Sequence, residues 1–172
     1  MNILYIGAGF VGATSAAASA ASGHDVMVFD INEHRITALS SGDRVTIENC
    51  LYEEGLGDLI VHNRERIRFT ANQGEIQSYL DRAQAVFLCV PTPEIGETGE
   101  SDLSFFNTAL ADIATALARR GDGSQAASVT LVIKSTVPIE VLERTETYLR
   151  DHGVRNVGVA SNPEFLVEGK AV

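Results

Sequence analysis

The chain has 172 residues and a mass of 18.4 kDa, the size of one domain that can bury a core without disulfides or metal. With 45% hydrophobic and 21% charged residues it is not a disordered chain. Its formal net charge of −10 argues against a nucleic-acid partner, because phosphate backbones are bound mainly by clustered Lys and Arg, but it leaves room for a small anion held by local donors.

In chain order, the apolar run Ile3 to Ile6 predicts a first strand and Val11 to Ser22 a helix. The Ala-rich part of that helix, Ala13 to Ala21, contains Ser15 and Ser19 and is too short and polar to span a bilayer. Met1-Asn2 carries no basic leader, so we expect no signal peptide, no membrane association and a cytoplasmic protein. A strand at Val26 to Phe29 and a helix at Glu33 to Ser41 follow. Asp43 to Glu65 breaks the alternation and reads as a loop with a short helix around Leu56 to Val61. Next come a strand at Ile67 to Thr70, a helix at Glu75 to Arg82 and a strand at Ala85 to Val90. The Pro- and Gly-bearing stretch Pro91 to Asp102 is irregular and leaves that strand's carboxyl end. A helix at Leu103 to Arg120, a strand at Val129 to Ile133, a helix at Ile139 to His152 and a strand at Val157 to Ala160 complete the series. Cys50 and Cys89 lack C-x-x-C or His spacing, so we expect ordinary reduced thiols and no metal.

The strongest local pattern is Gly7-Ala8-Gly9-Phe10-Val11-Gly12, a G-x-G-x-x-G sequence at a strand-to-helix junction. Gly7 permits the tight turn, Gly9 lets the backbone approach a pyrophosphate, and Gly12 allows close helix packing. Phosphates would then meet free N–H groups of the Gly9 to Gly12 segment at the helix N-terminus. Asp30 follows Gly12 by eighteen residues at the end of the second strand, where a carboxylate can accept both adenosine ribose hydroxyls and would repel a 2′-phosphate. That favours NAD over NADP, although Arg35, one helical turn on, could flank the ribose or instead welcome the phosphate. Together with the βα alternation, this predicts an α/β Rossmann fold: a doubly wound parallel sheet of about six strands with helices on both faces, forming one domain over residues 1–172.

Four further segments carry a family resemblance: Cys89-Val90-Pro91-Thr92-Pro93, Gly99-Glu100-Ser101-Asp102-Leu103-Ser104, Lys134-Ser135-Thr136-Val137-Pro138 and Ser161-Asn162-Pro163-Glu164-Phe165-Leu166-Val167-Glu168-Gly169. In this order they resemble the UDP-glucose/GDP-mannose dehydrogenase family, and Tyr52-Glu53-Glu54-Gly55-Leu56 is similar to its Y-E-P-G-L segment. The resemblance implies the NAD-binding amino-terminal half of an enzyme that oxidises the C6 hydroxyl of a nucleotide sugar to a carboxylate with two NAD. It implies cofactor contacts from Val90, Pro91, Thr92, Ser135, Thr136 and Glu168, and substrate contacts from Glu164, Phe165 and Leu166. Thr136, Glu164 and Glu168 are the implied catalytic set. A helical turn would put Glu164 and Glu168 on one face, and an enclosed carboxylate beside substrate could move a proton.

The departures are Glu54 for proline, Ile139-Glu140 where the family has glycine, and Val167 for a commonly basic residue, all bearing on the substrate more than the cofactor. The sequence ends at Val172, so the resemblance places the linking helix and the substrate domain, with its catalytic cysteine and lysine, outside it. Cys89 should be buried and no substitute nucleophile. The isolated chain is expected to bind NAD and to turn over slowly or not at all, sharing its sugar nucleotide with the other half, while the complete enzyme is expected to be a homodimer. The alternative is a standalone NAD-binding sensor or interaction module, since fold alone does not imply catalysis. A β-hydroxyacid or 6-phosphogluconate type dehydrogenase would leave the last two segments unexplained.

Overall fold

A computed structural model of the chain describes residues 1–96, 99–120 and 128–172. One parallel sheet runs through it in the order β3-β2-β1-β4-β5-β6, built from β1 (Asn2–Ile6), β2 (Asp25–Phe29), β3 (Ile67–Thr70), β4 (Ala85–Leu88), β5 (Val129–Ile133) and β6 (Val157–Ser161). Between them lie α1 (Phe10–Ala21), α2 (Glu33–Leu39), α3 (Arg44–Leu51), α4 (Leu56–His62), α5 (Gln73–Leu80), α6 (Ser104–Arg120) and α7 (Glu140–Asp151). All six expected strands are present within one or two residues of their predicted bounds, and the Rossmann expectation holds.

Strand side chains alternate between two cores. Ile3, Tyr5, Val26 and Val28 face one way and pack with α1, α2, α3 and α4. Leu4, Ile6, Met27, Phe29, Val86 and Leu88 face the other way and pack with α5, α6 and α7. Because both faces are covered, the central strands β1, β2 and β4 are apolar at successive positions, which is why they read as continuous runs. The small side chains Ala13, Ala16, Ala17 and Ala20 bring α1 down onto its face. Tyr5 stacks on Phe87 with ring centroids 4.6 Å apart, and its hydroxyl shares a 2.8 Å hydrogen bond with Ser19 on α1.

The stretch from 43 to 65 is not the predicted loop with one helix. It holds two, α3 and α4. Helix α3 begins where Asp43 accepts a 2.8 Å hydrogen bond from the Thr46 N–H, and it buries Ile47 and Leu51, one turn apart on one face. Val45, Thr46 and Ile47 are β-branched and intrinsically poor helix formers, so tertiary packing, and not propensity, makes this helix. The irregular segment after β4 is a narrow antiparallel excursion. It is closed by a bridge between Glu94 and Ser101 and by hydrogen bonds of 2.7 Å from Ile95 N to Glu100 O and from Asp102 N to Pro93 O. Glu97 and Thr98 of that predicted segment lie outside the described residues.

The strand order reverses between β1 and β4, whose neighbours wind outward in opposite directions. In open α/β sheets the crevice beyond the carboxyl ends of such a strand pair is where ligands bind.

Candidate dinucleotide site

The glycine loop occupies that crevice. Gly7 has φ +102° and its N–H donates to Phe29 O at 2.8 Å. A Cβ on Gly7 would lie 2.5 Å from Cys89 O, and one on Gly12 would lie 2.0 Å from Gly7 O, so both positions are needed by the chain's own packing. Gly9 differs. Its φ is −65°, open to any residue, and a Cβ there would meet nothing within 4 Å. The absence of a side chain at Gly9 therefore serves no contact of the protein with itself, and the space beside it suits a ligand brought against the backbone.

Gly9 is also the N-cap of α1 and supplies no side-chain cap. The first intrahelical bond runs from Ala13 N to Gly9 O at 2.9 Å, which leaves the N–H groups of Phe10, Val11 and Gly12 without intrahelical acceptors. Free N–H groups aligned with the helix dipole at such a terminus favour an anion.

Asp30, at the end of β2, is only 8% exposed. Its Oδ2 accepts from Ala8 N at 2.7 Å and from the Arg35 Nη1 at 2.9 Å, and its Oδ1 accepts from Asn32 N at 2.8 Å. The carboxylate thus ties the glycine loop to the start of α2. Of its roughly four lone-pair positions three are filled, so one ribose hydroxyl can bind directly. Taking both hydroxyls, as the sequence suggested, requires the Arg35 guanidinium to swing aside. Beyond Arg35 lies an open cleft of about 510 Å³, lined by Asn32, His34, Arg35, Asn49 and Cys50 among others.

The other crevice wall comes from the ends of β4 and β5. Thr92 donates its hydroxyl to Thr136 O at 2.8 Å, and Ser135 donates its hydroxyl to Val90 O at 2.7 Å. These bonds clamp the two loops together. The hydroxyl protons of Thr92 and Ser135, two residues for which the resemblance implies cofactor contact, are therefore spent on the protein, whereas Thr136 itself is exposed at the edge. Each hydroxyl oxygen keeps lone pairs with which to accept. Val90 is half-buried, and Pro91 is exposed beside Thr92.

After β6 the chain turns back across the sheet. Asn162 N donates to Ile133 O at 2.9 Å, and the Lys134 Nζ lies 3.5 Å from the Asn162 Oδ1. Residues 162–167 form no helix, and only a turn follows, closed by Lys170 N to Val167 O at 2.9 Å. The one-face arrangement expected for Glu164 and Glu168 is accordingly not found: the Glu164 carboxylate accepts from the Leu166 N–H two residues on, a local bond that competes with helix. Glu164 nonetheless lies close enough to Cys89 to act on its thiol electrostatically. Glu168 and Phe165 face solvent, Phe165 at 92% exposure.

Burial pushes the Cys89 thiol up to about 12, with the Lys134 ammonium opposing and Glu164 adding to the effect. Its thiolate fraction at pH 8 is therefore far below that of an ordinary thiol. Cys50 is also raised by burial, although Arg35 pulls the other way, and it lines the open cleft. We expect iodoacetamide at pH 8 to modify Cys50 first and Cys89 only on unfolding, as read by mass spectrometry. Labelling of Cys89 in the folded protein as fast as in urea would contradict this placement. Among the described residues no group of three or more His, Cys, Asp or Glu is arranged to hold a metal ion, and no helix is long and apolar enough to cross a membrane.

The glycine loop, Asp30 with Arg35, the β4 and β5 loops and the segment after β6 thus meet at one edge of the sheet, and together with the fold they define a dinucleotide-binding Rossmann domain. Over residues 1–172 the chain matches the NAD-binding-domain model of the UDP-glucose/GDP-mannose dehydrogenase family. It belongs to that family and is its NAD-binding domain. It is 38% identical over 173 residues to an uncharacterized protein of Methanocaldococcus jannaschii, covering 100% of this chain and 17% of that protein. It is 35% identical over 175 residues to a UDP-glucose 6-dehydrogenase of Rhizobium meliloti, covering 100% of this chain and 36% of that enzyme. The structure is similar to a ternary complex of GDP-mannose dehydrogenase from Pseudomonas aeruginosa, with a TM-score of 0.83, 27% identity and coverage of 99% of this chain and 38% of that one. A UDP-glucose dehydrogenase from Pyrobaculum islandicum gives a TM-score of 0.80 at 27% identity, covering 99% and 37% of the respective chains. The chain thus spans well under half the length of these relatives.

Proposed function

We propose that these residues form the cofactor half of a nucleotide-sugar 6-dehydrogenase, which oxidises the C6 hydroxyl of a UDP-glucose-like substrate to a carboxylate with two NAD. The observation that carries the reading is Gly9, which opens α1 beside Asp30 and where a side chain would meet no protein atom within 4 Å. When bound, NAD supplies the hydride acceptor. The protein's part is to hold the diphosphate on the Phe10, Val11 and Gly12 N–H groups and a ribose hydroxyl on Asp30. Val90, Pro91, Thr92 and the Ser135 and Thr136 backbone form the wall against which the nicotinamide end rests.

In this reading Thr136 orients the substrate oxygen, since its exposed hydroxyl carries no charge and can both donate and accept. Glu164 stands on the substrate side and holds or moves a proton, with Phe165 and Leu166 beside it, while Glu168 contacts the nicotinamide side. The second oxidation requires a nucleophile, and Cys89, held protonated by burial, does not serve. These 172 residues alone therefore bind NAD but turn over slowly or not at all, and they share the sugar nucleotide with a carboxyl-terminal domain in a complete, homodimeric, cytoplasmic enzyme. Mixing this chain with a separately produced carboxyl-terminal half of a relative tests the proposal. Sugar-dependent NADH formation by the mixture supports it. Saturable NAD binding with no turnover in any such mixture would instead support the sensor reading.

A further inference from the structure

We infer that Glu53 is a positioning residue: it latches a strap, residues 162–171, over the dinucleotide crevice and so holds Glu164 at the β4 end. The inference rests on the proposed function for what the strap does, and on geometry for what holds it.

Glu53 is fully buried, at 0% exposure, in the turn between α3 and α4. Among the described residues it has no cationic partner within ion-pair distance. Its carboxylate accepts instead from two backbone N–H groups of the far chain segment, Gly169 N at 2.6 Å to Oε1 and Ala171 N at 3.0 Å to Oε2. A buried carboxylate is costly unless such donors satisfy it. The surrounding turn is shaped for the same contact. Tyr52, exposed and left-handed at φ 56°, ends α3, and a Cβ on Gly169 would sit 3.4 Å from its carbonyl oxygen. A Cβ on Gly55 would lie 3.2 Å from a Val172 methyl group.

The path of the strap gives the latch its consequence. The segment leaves β6 at one edge of the sheet, is tied to Ile133 O at the end of β5, brings Glu164 near Cys89 just past β4, and is fastened at the α3–α4 turn. From β6 to β1 is three strand spacings, roughly 14 Å, and the seven steps from Asn162 to Gly169 can extend to roughly 23 Å. The strap is therefore long enough to reach across the β1/β4 crevice to the α3–α4 turn. With only Asn162 and the Glu53 latch as described backbone anchors to the rest of the fold, loss of the latch frees the end of the strap that carries Glu168 and loosens Glu164.

The test is hydrogen exchange, followed by mass spectrometry, on the 172-residue chain and its Glu53→Ala and Glu53→Gln variants, with NAD titrations of each. In Glu53→Ala we expect exchange within 164–171 to accelerate at least about tenfold, while β1, β4 and β5 stay protected. NAD should bind about three- to tenfold more weakly, because the competent arrangement is less populated. In Glu53→Gln the amide oxygen replaces one of the two acceptors, so both effects should be intermediate. If Glu53→Ala does not fold, a chain ending at Glu168 removes the same two donors from the other side and should show the same weakening. Unchanged strap exchange in a folded variant overturns the latch, and a freed strap with unaltered NAD affinity overturns the positioning role. Should the parent chain bind no NAD, the proposed function fails, while exchange still decides the latch.

Discussion

Alanine at Gly12 is expected to destabilise the chain by about 3 kcal/mol. The new Cβ would stand 2.0 Å from Gly7 O and 3.2 Å from the Cys89 Cβ, and its nearest neighbour is backbone that cannot rotate away. Relief requires α1 to lift from the loop, which would strip Ala13, Ala16 and Ala17 from their buried places against the sheet. Urea denaturation measures the cost. A midpoint equal to the parent's would mean that the glycine loop is looser than its geometry shows.

Asp30→Ala should act chiefly on binding. It removes the proposed ribose acceptor, and hydrogen bonds to a charged group are each worth about 1.5–3 kcal/mol, so NAD affinity should fall about ten- to a hundredfold. Two further effects follow from the partners of Asp30. The Ala8 N–H, on a residue with 0% exposure, loses its acceptor, so some stability is lost as well. Arg35 loses its counter-ion and becomes available to a 2′-phosphate. The preference between NAD and NADP should therefore narrow or invert in the variant, as comparative titration will show. A variant that loses affinity for both dinucleotides equally would indicate that Asp30 acts only through the loop.

The sheet was legible in the sequence because strands buried on both faces must be apolar at consecutive positions, as the central strands β1, β2 and β4 are, while the edge strand β3, Ile67-Arg68-Phe69-Thr70, alternates and was placed by its apolar residues and its position between helices. The glycine loop was legible because its pattern sits between a strand and a helix with Asp30 in register. Helix α3 was not, since β-branched Val45, Thr46 and Ile47 argue locally against helix and only the packing of Ile47 and Leu51 outweighs them. The hydroxyls of Thr92 and Ser135 are donors by residue type, but that they donate to Thr136 O and Val90 O depends on strands β4 and β5 being neighbours. Glu164 and Glu168 at helical spacing suggested a helical turn, but the Glu164 carboxylate bonds locally to the Leu166 N–H and no helix forms. Glu53 lay in a segment noted only for resemblance. Its partners are more than a hundred residues away, Gly169 and Ala171, and no local pattern encodes a contact of that separation.

The central claim, that NAD sits against the glycine loop, is tested most directly by calorimetric titration of NAD into the parent chain and into Gly9→Ala. A Cβ at Gly9 meets no protein atom within 4 Å, so stability should change by less than about 1 kcal/mol, while the methyl group occupies the space a diphosphate would enter. Saturable binding to the parent, weakened at least about tenfold in a folded Gly9→Ala, is the predicted result. Absence of binding to the parent, or equal affinity in the two proteins, would contradict it.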